Sequence, residues 1–530
     1  MGDATASSGY RLTELLAAIS LATDLGTGQP MGGAIRTCLL SMAAAEELGL
    51  DSRVRSEVHT VALLSSIGCT SDAPELAQVA GGDNLAFMAD MATVIMGTNP
   101  EAAVRLVRTL GRGRPPLQRA RLVAAAFGDP RGPERSLTAH CEVGARLADR
   151  LDVGADVVHA LAHAYERWDG RGVPDGLAGD DIPLSMRIIA VTRDVVIVER
   201  LAGREAAAAF LAGRRGTAYC PAAVDAVTAV MSRTAAGAAT AGAAAAGNGG
   251  SAWDEVLAAE PEPVRIIDPA SLDRTLEALG DFADLRSTRT RGRSARLAVL
   301  AGDAARAGGF ADRECVLLRR AARVADLGAV GVPTGLWDEA DPSASPEAEQ
   351  VRMHPYLTER VLGRCRGLEP IAELAGTHHE RLDGSGYHRG LTAPHLSRAS
   401  RLLAAADRFA TLTGSHGRRP ALSLESARDA LWADAAAGRL DGEAVEAVLA
   451  ASGQSVRHHR SPRPAGLSDR EVEVLRLISR GLRSREVAEQ LFISRKTVEH
   501  HIEHIYAKIG VRTRPAAVLF AMEHDLLTGT

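Results

Sequence analysis

The stretch LSDREVEVLRLISRGLRSREVAEQLFISRKTVEHHIEHIYAKIGVRTRPAAV, from Leu467 to Val518, carries the pattern of a small helical module. Ser468 can cap a helix while Glu471, three residues on, reaches back to the cap N–H, the reciprocal arrangement of a capping box. Val472, Leu475 and Ile478 then share one face, and Gly481 supplies a residue able to end the helix with positive φ. A second helix is predicted over Arg485 to Leu491, with a tight turn at Phe492 and Ile493. Ser494 caps a third helix whose Val498, Ile502, Ile505 and Ile509 face inward at spacings of three and four. This is helix-turn-helix geometry, read as four helices over residues 467–530.

The polar face fits a polyanion. Arg495, Lys496 and Thr497 fall in the first turn of the third helix, where side chains and free backbone N–H groups meet phosphates and base edges. Lys508, Arg512 and Arg514 are placed to hold the flanking backbone. From Ser455 onward there are 13 Lys+Arg against 9 Asp+Glu, a net of +4, so the rest carries −9 within the total of −5. Lys496 and Lys508 are the only lysines of the whole chain. The basic tail suits double-stranded DNA, and the acidic body does not.

This run resembles the C-terminal domain of LuxR-type regulators. The resemblance implies a third helix that enters the major groove and a fourth that helps form a homodimer. It assigns DNA contacts to Ser494, Arg495, Lys496, Thr497, Glu499, His500, Glu503, Lys508, Arg512 and Arg514. The acids Glu499 and Glu503 depart from a basic reading face. They either accept from cytosine N4 groups or point away from the bases.

At 530 residues the prior is three or four domains. Aromatics are only 3%, and alanine with leucine dominates, which favours a mainly α fold. The six cysteines form no CxxC and no ladder of short spacings, which argues against a disulfide scaffold or zinc ribbon and for a reduced cytoplasm. No signal-peptide pattern and no run of about 20 apolar residues is present, so no membrane association is expected. Residues 235–251, nearly all Ala, Gly and Thr, read as a flexible linker with enough alanine for partial helix, and residues 455–466 as a short basic one. Trp337 to Glu349, acidic and Pro-bearing, reads as a loop inside a domain.

The two large segments repeat each other. Glu166-Arg-Trp-Asp169-Gly170-Arg-Gly172-Val-Pro-Asp-Gly176-Leu177 matches Glu380-Arg-Leu-Asp383-Gly384-Ser-Gly386-Tyr387-His-Arg-Gly390-Leu391 at an offset of 214, which also pairs His140 with His354 and Arg187 with Arg401. Upstream, Gly33 pairs with Arg293 and Ser65-Ser66 with Ala325-Asp326 at 260, so the first copy carries 46 extra residues around Gly81 to Pro130. The domain reading is therefore residues 1–234 for the first copy, 252–454 for the second and 467–530 for the DNA module.

The second copy holds the candidate chemistry. His378-His379-Glu380 leads into the Asp383-Gly384-Ser-Gly386-Tyr387 loop, with His354, Asp326 and Asp407 at flanking helical positions. Neutral imidazoles and carboxylates suit Fe, Mn or Zn, which could lower the pKa of bound water. From roughly Arg293 to Pro420 the segment resembles the HD-GYP phosphodiesterases, helical enzymes that hydrolyse cyclic di-GMP at a two- or three-metal site. The resemblance makes Asp326, His354, His378, His379 and Asp407 the surviving ligand candidates. Arg293 stands where the family has its first His, Ala325 where the doublet His should be, Ala329 at the Lys and His388 at the Pro. A guanidinium at the metal would repel a dication. In the first copy the matching positions are Gly33, Ser65-Ser66, Ala164-Tyr165 and Arg193, and only His140 persists.

Two tandem degenerate HD-GYP-like domains ahead of the DNA module are thus expected to form the sensing or dimerising body of a transcription regulator. Its ligand would be a nucleotide such as cyclic di-GMP, and no cofactor is expected unless Fe or Mn persists in the second copy. The alternatives are a live cyclic di-GMP phosphodiesterase that binds DNA, and a protein-binding scaffold with a DNA-binding tail.

Overall fold

The repeat read from the sequence is carried helix by helix. In the computed structural model, which describes residues 9–97, 99–112, 114–240, 251–339, 348–414, 420–455 and 464–527, helices Gly33–Glu47 and Ser52–Leu64 recur as Arg293–Ala307 and Asp312–Val324. Both pairs keep the offset of 260. Downstream, helix Ala155–Ala162 recurs as Glu369–Gly376, and the 3-10 turn Gly179–Asp181 as Ala393–His395, at 214. The extra residues of the first copy form three helices, Asn84–Met91, Asn99–Thr109 and Pro116–Phe127.

The first helix of each copy, Leu12–Gly26 and Pro269–Leu285, ties the two together. Leu12–Gly26 is buried along nearly its whole length and rich in Ala and Leu, the signature of a helix packed on all sides. It packs on its own copy and also on the turn Leu327–Gly331 and helix His354–Leu362 of the second. In return, Pro269–Leu285 packs on helix Gly132–Arg150 of the first. Arg150 reaches Asp281 at 2.6 Å across this contact, and Glu14 accepts from the Arg366 N–H at 2.7 Å on the other side. A two-stranded antiparallel pair, Tyr10–Arg11 with Ile266–Ile267, closes the starts of the copies against each other.

Two stretches read as irregular are partly helical. Helix Pro221–Thr240 runs six residues into the stretch read as a flexible linker with enough alanine for partial helix, because alanine at four of those six positions propagates the helix; the rest, 241–250, lies outside the described residues. The stretch read as a loop from Trp337 to Glu349 begins inside helix Thr334–Glu339 and ends inside helix Ala348–Arg352, with 340–347 outside the described residues. Trp337 is buried there, edge-on to His354 at 5.2 Å and under Arg286. Of the second linker, 456–463 lies outside the described residues, and Pro464–Gly466 is a 3-10 turn.

Candidate metal centre and nucleic-acid interface

Gly328 shows how the second copy assembles its side chains. A Cβ there would lie 2.2 Å from the His354 carbonyl oxygen, so glycine lets the turn Leu327–Gly331 rest on the start of helix His354–Leu362. Asp326, just before the turn, is thereby set beside His354. His378 and His379 arrive from the segment after helix Glu369–Gly376. One ligand atom from each of Asp326, His354, His378 and His379 lies within 4.8 Å of the others.

The protons in this cluster can be placed by what the carbonyls accept. His354 Nδ1 lies 2.7 Å from the Val351 oxygen and His378 Nδ1 2.6 Å from the Ala375 oxygen, so both Nδ1 atoms donate. The two Nε2 atoms then face each other at 3.1 Å, and each is 3.4 Å from Asp326 Oδ1. That oxygen is buried and has no hydrogen-bond partner of good geometry. Three lone-pair donors therefore converge on one point, an arrangement satisfied by a shared proton or a cation. Burial opposes charge on every member. The Asp326 contact nevertheless holds His378 above the ordinary imidazole range, while burial and the His378 charge keep His354 below it. His379 is pushed well below that range by burial, and its ring stacks on Tyr387 at 4.6 Å. The donor set fits a single divalent metal.

Arg293 fills the adjacent position. Its Nε donates to Asp326 Oδ2 at 2.8 Å, and its Nη2 donates to Asp407 Oδ1. Burial alone would raise the Asp326 carboxyl, but the Arg293 charge and the His354 and His378 contacts together outweigh it and hold Asp326 well below the usual range. The guanidinium occupies the space between two carboxylates as a fixed cation. Asp407, grouped with the ligands on sequence grounds, is not one of the four converging residues; it accepts from Arg293 and lies 3.2 Å from His379 Nδ1 at the edge of the cluster. The signal missed in the sequence was charge complementarity: a cation had replaced a ligand exactly where two acids remained.

The glycine-rich loop below the cluster is organised by Glu380. Its two oxygens accept from the Arg389 and Leu391 N–H groups, each at 2.8 Å, and Asp383 Oδ1 accepts from the Ser385 N–H at 3.0 Å. Gly384 has φ 77, and a Cβ on Gly386 would lie 2.4 Å from the Arg381 nitrogen. His388 lies outside the cluster, beside the Tyr356 ring. The first copy repeats the loop, with Glu166 Oε1 accepting from Asp175 and Gly176 at 2.8 and 3.0 Å. The matching positions are differently filled: His140 Nε2 bonds Asp72 at 2.7 Å, Cys69 meets the Tyr165 hydroxyl at 3.2 Å, and Arg193 covers the Tyr165 ring. His163 turns away to Asp175.

The C-terminal module follows its sequence closely. Ser468 and Glu471 form the capping box, Phe492 closes the turn with φ 54, and Ser494 caps helix Arg495–Ile509 by accepting from the Thr497 N–H at 3.0 Å. The second helix starts at Ser484, one residue earlier than expected. Arg495, Lys496, Thr497, Glu499, His500 and Glu503 are exposed on one open face, where Arg495 pairs with Glu499 at 2.8 Å and His500 stacks on His504. The three flanking cations are otherwise engaged. Lys508 bonds Glu471 at 2.7 Å, Arg514 donates to the Ile478 and Leu482 carbonyls, and Arg512 bonds Asp175 of the first copy at 2.9 Å.

A helical body with a His/Asp cluster suited to a metal, followed by an open helix-turn-helix, defines a class in which phosphohydrolase-type architecture is joined to nucleic-acid recognition. Residues 132–211 and 277–444 match the HD domain family, and residues 465–521 match the bacterial regulatory proteins of the luxR family. The chain is therefore an HD-type body fused to a LuxR-type regulatory domain. It is 27% identical over 427 residues to 3'3'-cGAMP-specific phosphodiesterase 3 of Vibrio cholerae, covering 80% of this chain and 90% of that one. It is 30% identical over 181 residues to a cyclic di-GMP phosphodiesterase of Thermotoga maritima, covering 34% of this chain and 49% of that one. The terminal module is 48% identical over 61 residues to the oxygen regulatory protein NreC of Staphylococcus aureus, covering 12% of this chain and 28% of that one. A crystal structure of a cyclic GMP-AMP specific phosphodiesterase from V. cholerae superposes with TM-score 0.58 at 23% identity, covering 84% of this chain and 98% of that one, and shares the fold. No helix among the described residues is long and apolar enough to cross a membrane.

Proposed function

We propose that this protein is a dimeric DNA-binding transcription regulator whose duplicated HD-type body binds a cyclic dinucleotide and reports that binding to the C-terminal module. The observation that carries the sensing role is Arg293, set between Asp326 and Asp407. A two-metal site clamps the attacking and leaving oxygens of a displacement with two ions, and a guanidinium in one of those places has no coordination site with which to ionise water. The relatives that act on cyclic dinucleotides support that ligand class. For the DNA module, Lys496 is exposed in the first turn of the recognition helix and has no ion pair among the described residues.

The test is saturation binding of labelled cyclic di-GMP and 3'3'-cGAMP, with turnover followed by chromatography and duplex binding measured with and without ligand. Saturable binding without hydrolysis, with DNA affinity changing about tenfold, is expected, a shift of ~1.4 kcal/mol in the coupling. Lys496→Ala should weaken duplex binding and reduce the log–log salt slope by about 0.9.

A second reading is favoured by the orphaned Asp326 Oδ1 between two Nε2 atoms. Asp326, His354, His378 and His379 would hold one divalent metal, Fe or Mn by the resemblance, which when bound lowers the pKa of a coordinated water. Metal-dependent hydrolysis that His378→Ala/His379→Ala abolishes would replace the sensor with this enzyme.

A further inference from the structure

Cys69 is set apart from other thiols of this chain. All six cysteines are free and buried. Cys38, Cys315 and Cys365 lie against the backbone carbonyls of His59, Phe310 and Glu14, to which a protonated sulfur donates. Cys69 lies instead among side chains that favour the thiolate. Its Sγ is 3.2 Å from the Tyr165 hydroxyl, and it sits beside His140, whose Nε2 is held by Asp72 at 2.7 Å. Arg193 reaches over the Tyr165 ring, 5.4 Å from its centroid. Cysteine, imidazole and carboxylate thus stand as a nucleophile, its base and the group that orients the base.

The backbone builds this arrangement. A Cβ on Gly68 would lie 1.9 Å from the His140 carbonyl oxygen, so glycine lets the turn before helix Ala73–Ala80 rest on helix Gly132–Arg150 and sets Cys69 next to His140. Gly328 makes the same approach to His354, but Cys69, Tyr165 and Arg193 stand opposite Ala329, His379 and Asp407 at the offsets of the repeat. The set is therefore particular to the first copy.

Two polar atoms here are left open. His140 Nδ1 and Arg193 Nη2 are buried with no hydrogen-bond partner of good geometry, and Nδ1 is the ring nitrogen that remains once Nε2 meets Asp72. Burial opposes a thiolate, but the His140 charge and contact, the Tyr165 hydroxyl and Arg193 together outweigh it and hold Cys69 below the ordinary thiol value. Burial likewise opposes the imidazolium, but Asp72 and Cys69 raise His140 well above its ordinary range. Cys69 is 5% exposed, which suits a reactant of a few atoms and excludes a bulky one.

We propose that Cys69 is a modification site for hydrogen peroxide, with His140, Tyr165 and Arg193 as the groups that activate its sulfur and receive the displaced oxygen. The thiolate attacks one peroxide oxygen. The S–O bond forms as the O–O bond breaks, and the sulfur is oxidised by two electrons to a sulfenic acid while the peroxide is reduced. The departing hydroxide takes the proton of the His140 imidazolium and leaves as water, and the other peroxide proton stays on the sulfenic oxygen. The unpaired Arg193 N–H is a donor for the oxygen on which negative charge grows. Thiolate and imidazolium both end neutral, so the reaction erases a buried pair of opposite charges.

The experiment treats the full chain with a slight excess of hydrogen peroxide, quenches it into denaturant with iodoacetamide, and reads the loss of alkylatable thiol at each cysteine by peptide mass. Loss at Cys69 about tenfold faster than at Cys38, Cys220, Cys315 and Cys365 of the same molecules is expected. Tyr165→Phe, which keeps the ring, and His140→Gln should each slow the loss at Cys69 several-fold. The other four cysteines report the fold, and their rates should stay at wild-type values. If His140→Gln disturbs those rates, Tyr165→Phe carries the comparison. Cys69 oxidised no faster than the other four in folded wild-type protein would overturn the proposal. So would fast oxidation of Cys69 that the folded variants leave unchanged.

Discussion

At the scale of single residues, Arg293 changes what the second copy can do. It supplies one permanent positive charge shared by Asp326 and Asp407, so the pair of acids is half neutralised by the chain's own side chain. Arg293→Ala removes the cation shared by two buried carboxylates and is expected to cost about 3–5 kcal/mol in chemical denaturation of metal-free protein. Arg293→His/Ala325→His places imidazoles at those two positions and should raise the manganese bound per chain, read by plasma mass spectrometry. The pH dependence follows from His378, which holds its proton above the ordinary value of 6.5. A folded-state value raised in this way stabilises the metal-free protein fully below about pH 6.5, and that contribution is lost as pH rises through the folded value. A metal must displace the same proton, so manganese affinity measured calorimetrically should increase from pH 6 to pH 8. Affinity that is flat across this range would show that the cluster holds no titrating proton.

At the scale of elements, the capping box of the DNA module combines local sequence with a distant partner. Burial alone would raise the Glu471 carboxyl, but Lys508 and the Ser468 N–H outweigh it and bring it down to about 2. A depressed value gives stability that is present above about pH 4.5 and lost as pH falls toward 2. Glu471→Gln should therefore flatten the acid limb of the module's unfolding curve, followed by exchange of the amides of helix Asp469–Ser479. At neutral pH the same change should cost roughly 1 kcal/mol, in the range of a lost cap. Ser468, Glu471 and Gly481 were legible because caps and stops depend on neighbours three residues away. Lys508 as the partner of Glu471 was not, since the two meet only when helix Arg495–Ile509 folds back across the first. The caps at Asp24 and Asp284, which accept from backbone N–H groups eight to ten residues downstream, were likewise invisible to a search for local signatures.

At the scale of the whole molecule, the two copies exchange their first helices as packing partners. Helix Leu12–Gly26 contacts the second copy around His354, and Pro269–Leu285 contacts the first around Gly132–Arg150. Neither copy buries its core alone, so the body should unfold in one calorimetric transition, and deleting residues 1–11, which removes the strand Tyr10–Arg11 and its ion pair with Glu260, should lower the stability of both copies together. Two separated transitions would show that the contact between copies is adventitious.

The sequence by itself determined the helical class, the duplication with its two offsets, the glycine-rich loops and the helix-turn-helix, because each rests on periodicity or on residues close in the chain. It also marked which metal-type positions had been lost. Tertiary structure decided what replaced them: Arg293 between Asp326 and Asp407, Asp407 shared by Arg293 and His379, and Arg512 held by Asp175. Those outcomes depend on which charges meet across 33 to 337 residues of chain. Electrostatic pairing at that separation has no period for a sequence to display.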